Sequence, residues 1–189
     1  MKLHPETKKI IVIGDQTLTS VMDRKTIKKT IPKYPGIEFQ FLEDGNVFYY
    51  QRFLQNLPKN SLILAMHVNT DHQGKYYSYE DSFDIYTLHV KTPIYTFWDF
   101  YLNRGTIGGM IVSGDAQGAE AAKKALQVLQ GQPIDTIPIL KESPNQYIFD
   151  YKMLKKFNIS SRDLPSDSII INKPRGFKEL YNENKQAII

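Results

Sequence analysis

Ile10-Ile11-Val12-Ile13 is an unbroken β-branched run set between Lys8-Lys9 and Gly14-Asp15. A short continuous apolar run predicts a strand buried on both faces, as in a parallel sheet covered by helices. Thr17, Thr19 and Ser20 then open a predicted helix over Leu18–Thr30, which Pro32 and Pro35-Gly36 close. Ile37–Leu42 alternates apolar and polar, so a strand nearer the sheet edge is expected there. Val47, Tyr50, Phe53, Leu54 and Leu57 fall at helical spacing as far as Pro58. Ser61–Met66 is a second buried strand, emptying into the polar loop His67–Gly74. Ser78-Tyr79-Glu80-Asp81 reads as a capping-box-like start of a helix to about Val90. Pro93–Phe97 is a short strand running into Trp98-Asp99-Phe100-Tyr101, and Gly105–Ser113 a glycine-flanked one. Asp115–Gln130 has the clearest helical pattern: Ala119, Ala122, Ala125, Leu126 and Leu129 share one face, and Gly131 terminates it.

Strands and helices alternating in this way specify an α/β fold, a parallel sheet with helices on both faces. Beyond Gly131 the pattern changes to short segments. Strands are predicted at Thr136–Leu140, Gln146–Phe149 and Ile169–Asn172, and helices at Asp150–Asn158 and Gly176–Lys185. Five prolines, from Pro133 to Pro174, punctuate this stretch, which reads as a crossing tail.

The 189 residues suffice for one domain with a real core or two small ones. A formal net charge of +4 with scattered lysines does not concentrate charge as a nucleic-acid binder would. The absence of cysteine excludes disulfides and thiolate metal sites. Met1–Pro5 is not a signal peptide, and no stretch reaches the roughly 18–20 apolar residues of a membrane helix. The expectation is a soluble chain, either cytosolic or cut from something larger.

Three loops should share one sheet edge: Asp15–Ser20, His67–Gln73 and Trp98–Tyr101. They offer carboxylates (Asp15, Asp71, Asp99), hydroxyls (Thr17, Thr19), amides and one tryptophan, the make-up of a polar small-molecule cleft with an aromatic wall. The plain alternatives are a turn with a helix cap for Asp15 and Thr17, a core role for Trp98, and close backbone packing for Gly108-Gly109. A hydrolase would need a Gly-x-Ser-x-Gly elbow, which is lacking. His67, Asp71 and His72 match no strong zinc spacing, and neither glycine-rich phosphate motif is present. A flavodoxin-like reading has Thr17–Ser20 wrapping a flavin phosphate at a helix N-terminus, with Trp98 and Tyr101 stacking on the ring.

The tail carries a family resemblance, in Gly131-Gln132-Pro133, Ile137-Pro138-Ile139, Ser143-Pro144-Asn145-Gln146-Tyr147, Phe149-Asp150-Tyr151, Leu164-Pro165 and Ile170-Ile171-Asn172-Lys173-Pro174. The front adds Leu3-His4-Pro5, Gly14-Asp15-Gln16-Thr17-Leu18-Thr19, Pro93-Ile94-Tyr95, Trp98-Asp99 and Gln117-Gly118. Together these resemble the periplasmic-binding-protein-like sensor domains related to ABC transporter substrate-binding proteins. One departure is Ser20, where the family usually has glycine.

The resemblance implies two lobes, of which this chain would hold the second at residues 1–104. Residues 105–131 would cross to the missing first lobe, and 132–189 would return toward a membrane. It further implies an extracytoplasmic ligand-binding part of a membrane-anchored signalling protein, a sensor histidine kinase first. The alternatives are the substrate-binding component of an ABC transporter and, second, a flavodoxin-like flavin protein. Asp15, Thr17, Thr19, Asp71, Trp98 and Asp99 would form half of an interlobe cleft for a small polar ligand, cationic or hydroxyl-rich. No enzyme activity, cofactor, metal or nucleic acid is implied. The expected partners are the ligand, the missing lobe and, through the exposed alanine stripe, a second copy.

Overall fold

The β-branched run forms an interior strand, second from one edge of a seven-stranded sheet. In a computed structural model describing residues 2–174, β1 (Lys9–Ile13) lies between β2 (Glu38–Leu42) and β3 (Ser61–Ala65) and runs parallel to both. Ile13 is level with Leu42 on one side and Ala65 on the other. β4 (Ile94–Thr96) and β5 (Gly108–Ile111) extend the sheet in parallel. β6 (Gln146–Asp150) joins β5 antiparallel, and β7 (Ile169–Ile171) joins β6 in parallel. The order is β2-β1-β3-β4-β5-β6-β7. This is the mostly parallel, helix-flanked sheet that the alternation predicts, and β2, the strand with alternating polarity, is at an edge.

Among the described residues, five α-helices accompany the strands: α1 (Leu18–Thr30), α2 (Val47–Leu54), α3 (Tyr79–Thr87), α4 (Gly114–Leu129) and α5 (Tyr151–Lys156). Each starts on a side-chain cap: an oxygen of Thr17, Asn46, Ser78, Ser113 or Asp150 accepts from a first-turn N–H. Such caps contribute about 1 kcal/mol apiece. Strand alternation then divides the apolar side chains between two faces. Ile11, Ile13, Ile63, Ala65 and Ile94 pack with Val47, Tyr50 and Leu54 of α2 and Phe83 and Tyr86 of α3. Ile10, Leu62 and Leu64 line the other face with Thr26, Ile27 and Thr30 of α1. A smaller core of Ile107, Phe149, Leu154, Ile159 and Leu164 lies toward α5. No residue of α4 is buried.

The differences from the sequence pattern have local causes. Thr136–Leu140 forms no strand; a 3-10 turn at Ile134–Thr136 leads into irregular chain. Pro138, which has no N–H to give a ladder, lies in the middle of that stretch. α2 ends at Leu54, a turn short of Leu57. α3 ends at Thr87, with His89 in the left-handed region at φ 63°. The helix predicted at 176–185 lies outside the described residues.

The segment before β1 packs at the opposite end of the sheet from the strands' carboxyl ends. His4 Nε2 is 2.8 Å from the Tyr95 hydroxyl, and burial lowers the His4 pKa. The native state therefore favours neutral His4, and the unfolded chain takes up the proton first. The stabilisation is full above the ordinary histidine value of about 6.5 and is lost as pH falls below it. Melting curves between pH 7 and 5 should show a decline that is shallower in His4→Gln than in the parent chain.

Candidate functional site

Because β1, β3 and β4 are parallel, the loops that follow them meet at one edge, with the N-termini of α1, α3 and α4. Asp15 joins two of the loops. It is fully buried. Its Oδ1 accepts from the Thr17 N–H at 3.0 Å and the Thr17 hydroxyl at 2.5 Å, and its Oδ2 from the N–H groups of Asn69 at 2.9 Å and Thr70 at 3.3 Å. The Asp15 carbonyl accepts from the buried Arg24 guanidinium, while Ser20 Oγ accepts from the Asp15 N–H at 3.0 Å. A Cβ on Gly14 would overlap Ser20 Oγ, so serine at position 20 suits the glycine before Asp15. Tyr50 closes the floor, its hydroxyl donating to the Gly14 carbonyl at 3.1 Å and accepting from the Gly45 N–H at 2.7 Å. Burial, above all, raises the Tyr50 pKa, so that hydroxyl keeps its proton.

Thr17 is the cap of α1, and its hydroxyl lies 3.4 Å from Nε2 of the buried His67. His67 meets two rings edge-on, Tyr79 at 5.7 Å and Trp98 at 5.8 Å between centroids. Phe100 stacks against both Trp98 (5.7 Å, 14°) and Tyr79 (4.8 Å, 15°). The half-buried Trp98 thus belongs to a wall of three roughly parallel rings, and its Nε1 has no hydrogen-bond partner among the described residues. Thr19 is exposed on the first turn of α1. On α1, the Asp23 pKa is raised by burial, opposed by the charge of His67.

The other two carboxylates are engaged with backbone. Asp99 Oδ2 accepts from the Gly114 N–H at 2.7 Å and so anchors the start of α4. Asp71 Oδ1 accepts from the N–H groups of Gln73 and Lys75, both at 2.9 Å. Desolvation pushes the Asp71 pKa up, but these N–H groups and the Tyr77 hydroxyl outweigh it and hold it below the usual carboxylate range.

The structure therefore brings Asp15, Thr17 and Trp98 together around His67, with Thr19 at the rim. Asp71 makes its bonds within its own turn, and Asp99 makes its bond to α4. Tyr101, paired with Trp98 as a ring-stacking residue in the flavin reading, is fully buried and stacks on Phe83 at 4.4 Å; Phe100 stands beside Trp98 instead. The sequence reading missed Phe100 and Tyr79, and named His67 only as one imidazole of the polar loop and as a metal ligand of weak spacing. The recurring aromatics after polar loops were the signal available. No group of three metal-ligating side chains occurs among the described residues.

What remains open at this edge is a set of hydroxyls and amides, aromatic rings, and helix N-termini. Those N-termini carry the positive end of the helix dipole and favour a negatively charged ligand group. Of the carboxylates that would favour a cation, Asp15 is taken up on both oxygens by the chain's own donors, while Asp71 and Asp99 each have one oxygen engaged by backbone N–H groups.

The family model for ABC transporter substrate binding proteins matches residues 1–167. The chain belongs to the ABC transporter substrate-binding protein family. No curated protein matches its sequence. Solved structures share the fold of this chain. A ligand-free, open substrate-binding protein with adhesive properties from Clostridium difficile has 15% identity and a TM-score of 0.61, over 91% of this chain and 57% of that one. An ABC domain in complex with L-Trp from Streptococcus pneumonia has 17% identity and a TM-score of 0.60, over 89% and 57%. A conserved domain protein from Vibrio cholerae has 14% identity and a TM-score of 0.58, over 89% and 56%. The chain spans a little over half the length of these structures. The family is one of binding proteins, and the coarse expectation of a ligand-binding domain stands. Of the two roles expected for it, the transporter component fits these findings better than the sensor kinase. No helix among the described residues is long and apolar enough to cross a membrane.

Proposed function

We propose that this chain supplies one wall of the ligand cleft in the substrate-binding component of an ABC transporter, acting outside the cytoplasmic membrane. The ligand is a small molecule that carries an aromatic ring and a carboxylate. The observation behind this reading is the pairing of the Trp98–Phe100–Tyr79 wall with the open first turn of α1, beside a buried Asp15 whose two oxygens are already taken by the chain's own donors. A planar ring stacks on such a wall, and a carboxylate suits the N-terminal end of α1. The neighbour that holds L-Trp supports this ligand class. Thr17, Thr19 and Trp98 touch the ligand in this reading. Asp15 and Asp99 position the loops, and Asp71 shapes the turn at the rim.

Trp98 is the single tryptophan of the chain and so is a built-in reporter. Titration with L-phenylalanine should change its emission, and calorimetry with L-tryptophan should give saturable binding that Phe100→Ala weakens about tenfold, the equivalent of ~1.4 kcal/mol. Indifference of the emission to aromatic amino acids, together with heats unchanged by Phe100→Ala, would sink the reading.

A further inference from the structure

Counting hydrogens around Thr17 fixes the form of His67. A threonine hydroxyl has one proton and two lone pairs. Both Asp15 oxygens already accept from backbone N–H groups, so the Thr17 proton goes to Asp15 Oδ1 at 2.5 Å. The Thr17 oxygen accepts from the Ser20 N–H at 3.4 Å, and its remaining lone pair meets His67 Nε2, also at 3.4 Å. Nε2 is therefore the nitrogen that carries hydrogen. The neutral ring keeps its lone pair on Nδ1, for which the described residues provide no hydrogen-bond partner. That nitrogen is open to a second proton.

The His67 ring is only 4% exposed, so water screens its charge poorly. Its surroundings have mixed sign. From α1 it meets the charge of Asp23, and beyond Thr17 lie Asp15 and Arg24. α3 brings the Tyr79 ring, with Glu80 and Asp81 in the same first turn. The loop after β4 brings Trp98 and, behind it, Asp99 and Phe100, and the loop of His67 itself carries Asp71 and His72. The acids favour an imidazolium. Arg24 opposes it, as do the positive ends of α1 and α3, capped by Thr17 and Ser78. Arg24 is itself held by the Asp15 carbonyl and by Glu43 at 3.6 Å, so it is not free to meet a ligand. With opposing charges on both sides, one more negative charge at the first turn of α1 tips the ring toward imidazolium.

We infer that His67 is the anion-recognising residue of this edge: it takes a second proton at Nδ1, and that proton and an anion at the first turn of α1 bind together. The proton comes from solvent and returns there when the anion leaves. By linkage, each raises the affinity of the other by the same factor. That the anion is the carboxylate of an aromatic ligand rests on the ligand reading; the protonation of His67 does not. The edge then holds an acid more tightly in acidic surroundings and releases it as pH rises.

The chain has four histidines. His4→Gln/His72→Gln/His89→Asn leaves His67 as the one imidazole and keeps Thr17 and the aromatic wall; asparagine suits the left-handed backbone at 89. Long-range proton–nitrogen spectra of the ring should show the Nε2–H form at about pH 8 and one titration between about pH 8 and 5. Trp98 emission should follow the same midpoint, and iodide quenching of Trp98, relative to acrylamide, should rise across it. Saturating phenylacetate should raise the midpoint by about one pH unit, the equivalent of about tenfold tighter binding to the protonated ring. Asp23→Asn, which removes a facing negative charge, should lower it. An Nδ1–H ring, an imidazole that stays neutral down to about pH 5, or iodide quenching that ignores the midpoint overturns the inference whether or not an organic acid binds. Phenylacetate that changes Trp98 emission without moving the midpoint also overturns it and leaves the ligand reading standing. Phenylacetate that does nothing, while iodide quenching follows the midpoint, upholds the role of His67 and removes the ligand reading.

Discussion

Asp15→Ala should cost the protein about 3–5 kcal/mol of unfolding free energy, read as a fall in urea midpoint at unchanged slope. The side chain itself contributes little apolar area. The loss arises from what it leaves behind: the N–H groups of Thr17, Asn69 and Thr70, all directed at a carboxylate no longer there. A buried donor without a partner costs about 1–3 kcal/mol, and water entering the gap recovers part of the total. Asp15→Asn should lose nearly as much, because its amide nitrogen must face N–H groups that need an acceptor. Thr19→Ala, an exposed position two residues beyond the cap, should change stability by no more than about 0.5 kcal/mol. A penalty under 1 kcal/mol for Asp15→Ala would mean that the loops after β1 and β3 are not held together by this carboxylate.

The same residue shows where sequence reading stops. That Asp15 ends a buried strand at the ligand-bearing edge of a sheet was legible, since four β-branched residues followed by Gly-Asp leave few alternatives. So were the Ser78 cap and the helix from 18 to 30, because capping and periodicity are local. What Asp15 bonds to was not legible: Asn69 and Thr70 lie 54 and 55 residues away, and only the parallel pairing of β1 with β3 brings them within reach. An acid counted as an attraction for a cation is, in the fold, an acceptor for the chain's own backbone, and Asp99 repeats the pattern at Gly114. The aromatic wall was half legible for a related reason. Trp98, Phe100 and Tyr101 are nearly adjacent, and the 3-10 turn at Asp99–Tyr101 decides that Phe100 joins the wall while Tyr101 enters the core. Propensity assigns no such division within a single turn.

The largest effect is expected from Gly108→Ala. Gly108 has φ 113°, which an L side chain rarely adopts, and a Cβ there would lie 1.9 Å from the Ile148 carbonyl oxygen and 2.9 Å from the Phe149 Cα. Those atoms belong to the backbone of β6, directly opposite in the antiparallel pair, so no rotamer change relieves the overlap. Either β5 rotates or β6 moves away. Both break the junction that ties β6, β7 and the Ile107–Leu154 core to the parallel part of the sheet. A loss of about 4 kcal/mol or more follows from strain and lost packing together. Gly118→Ala is the informative contrast: it lies in α4 with open space around it and an ordinary helical backbone, and it should stabilise by about 0.5–1 kcal/mol. Hydrogen exchange separates local from global damage. In Gly108→Ala, amides of β6 and β7 should lose protection first, while those of β1 and β3, buried between α1 and the α2–α3 layer, keep more of theirs. If β6 stays as protected as in the parent chain, Gly108 does not face Phe149 across this pair, and the antiparallel joint between the two parts of the sheet must be drawn differently.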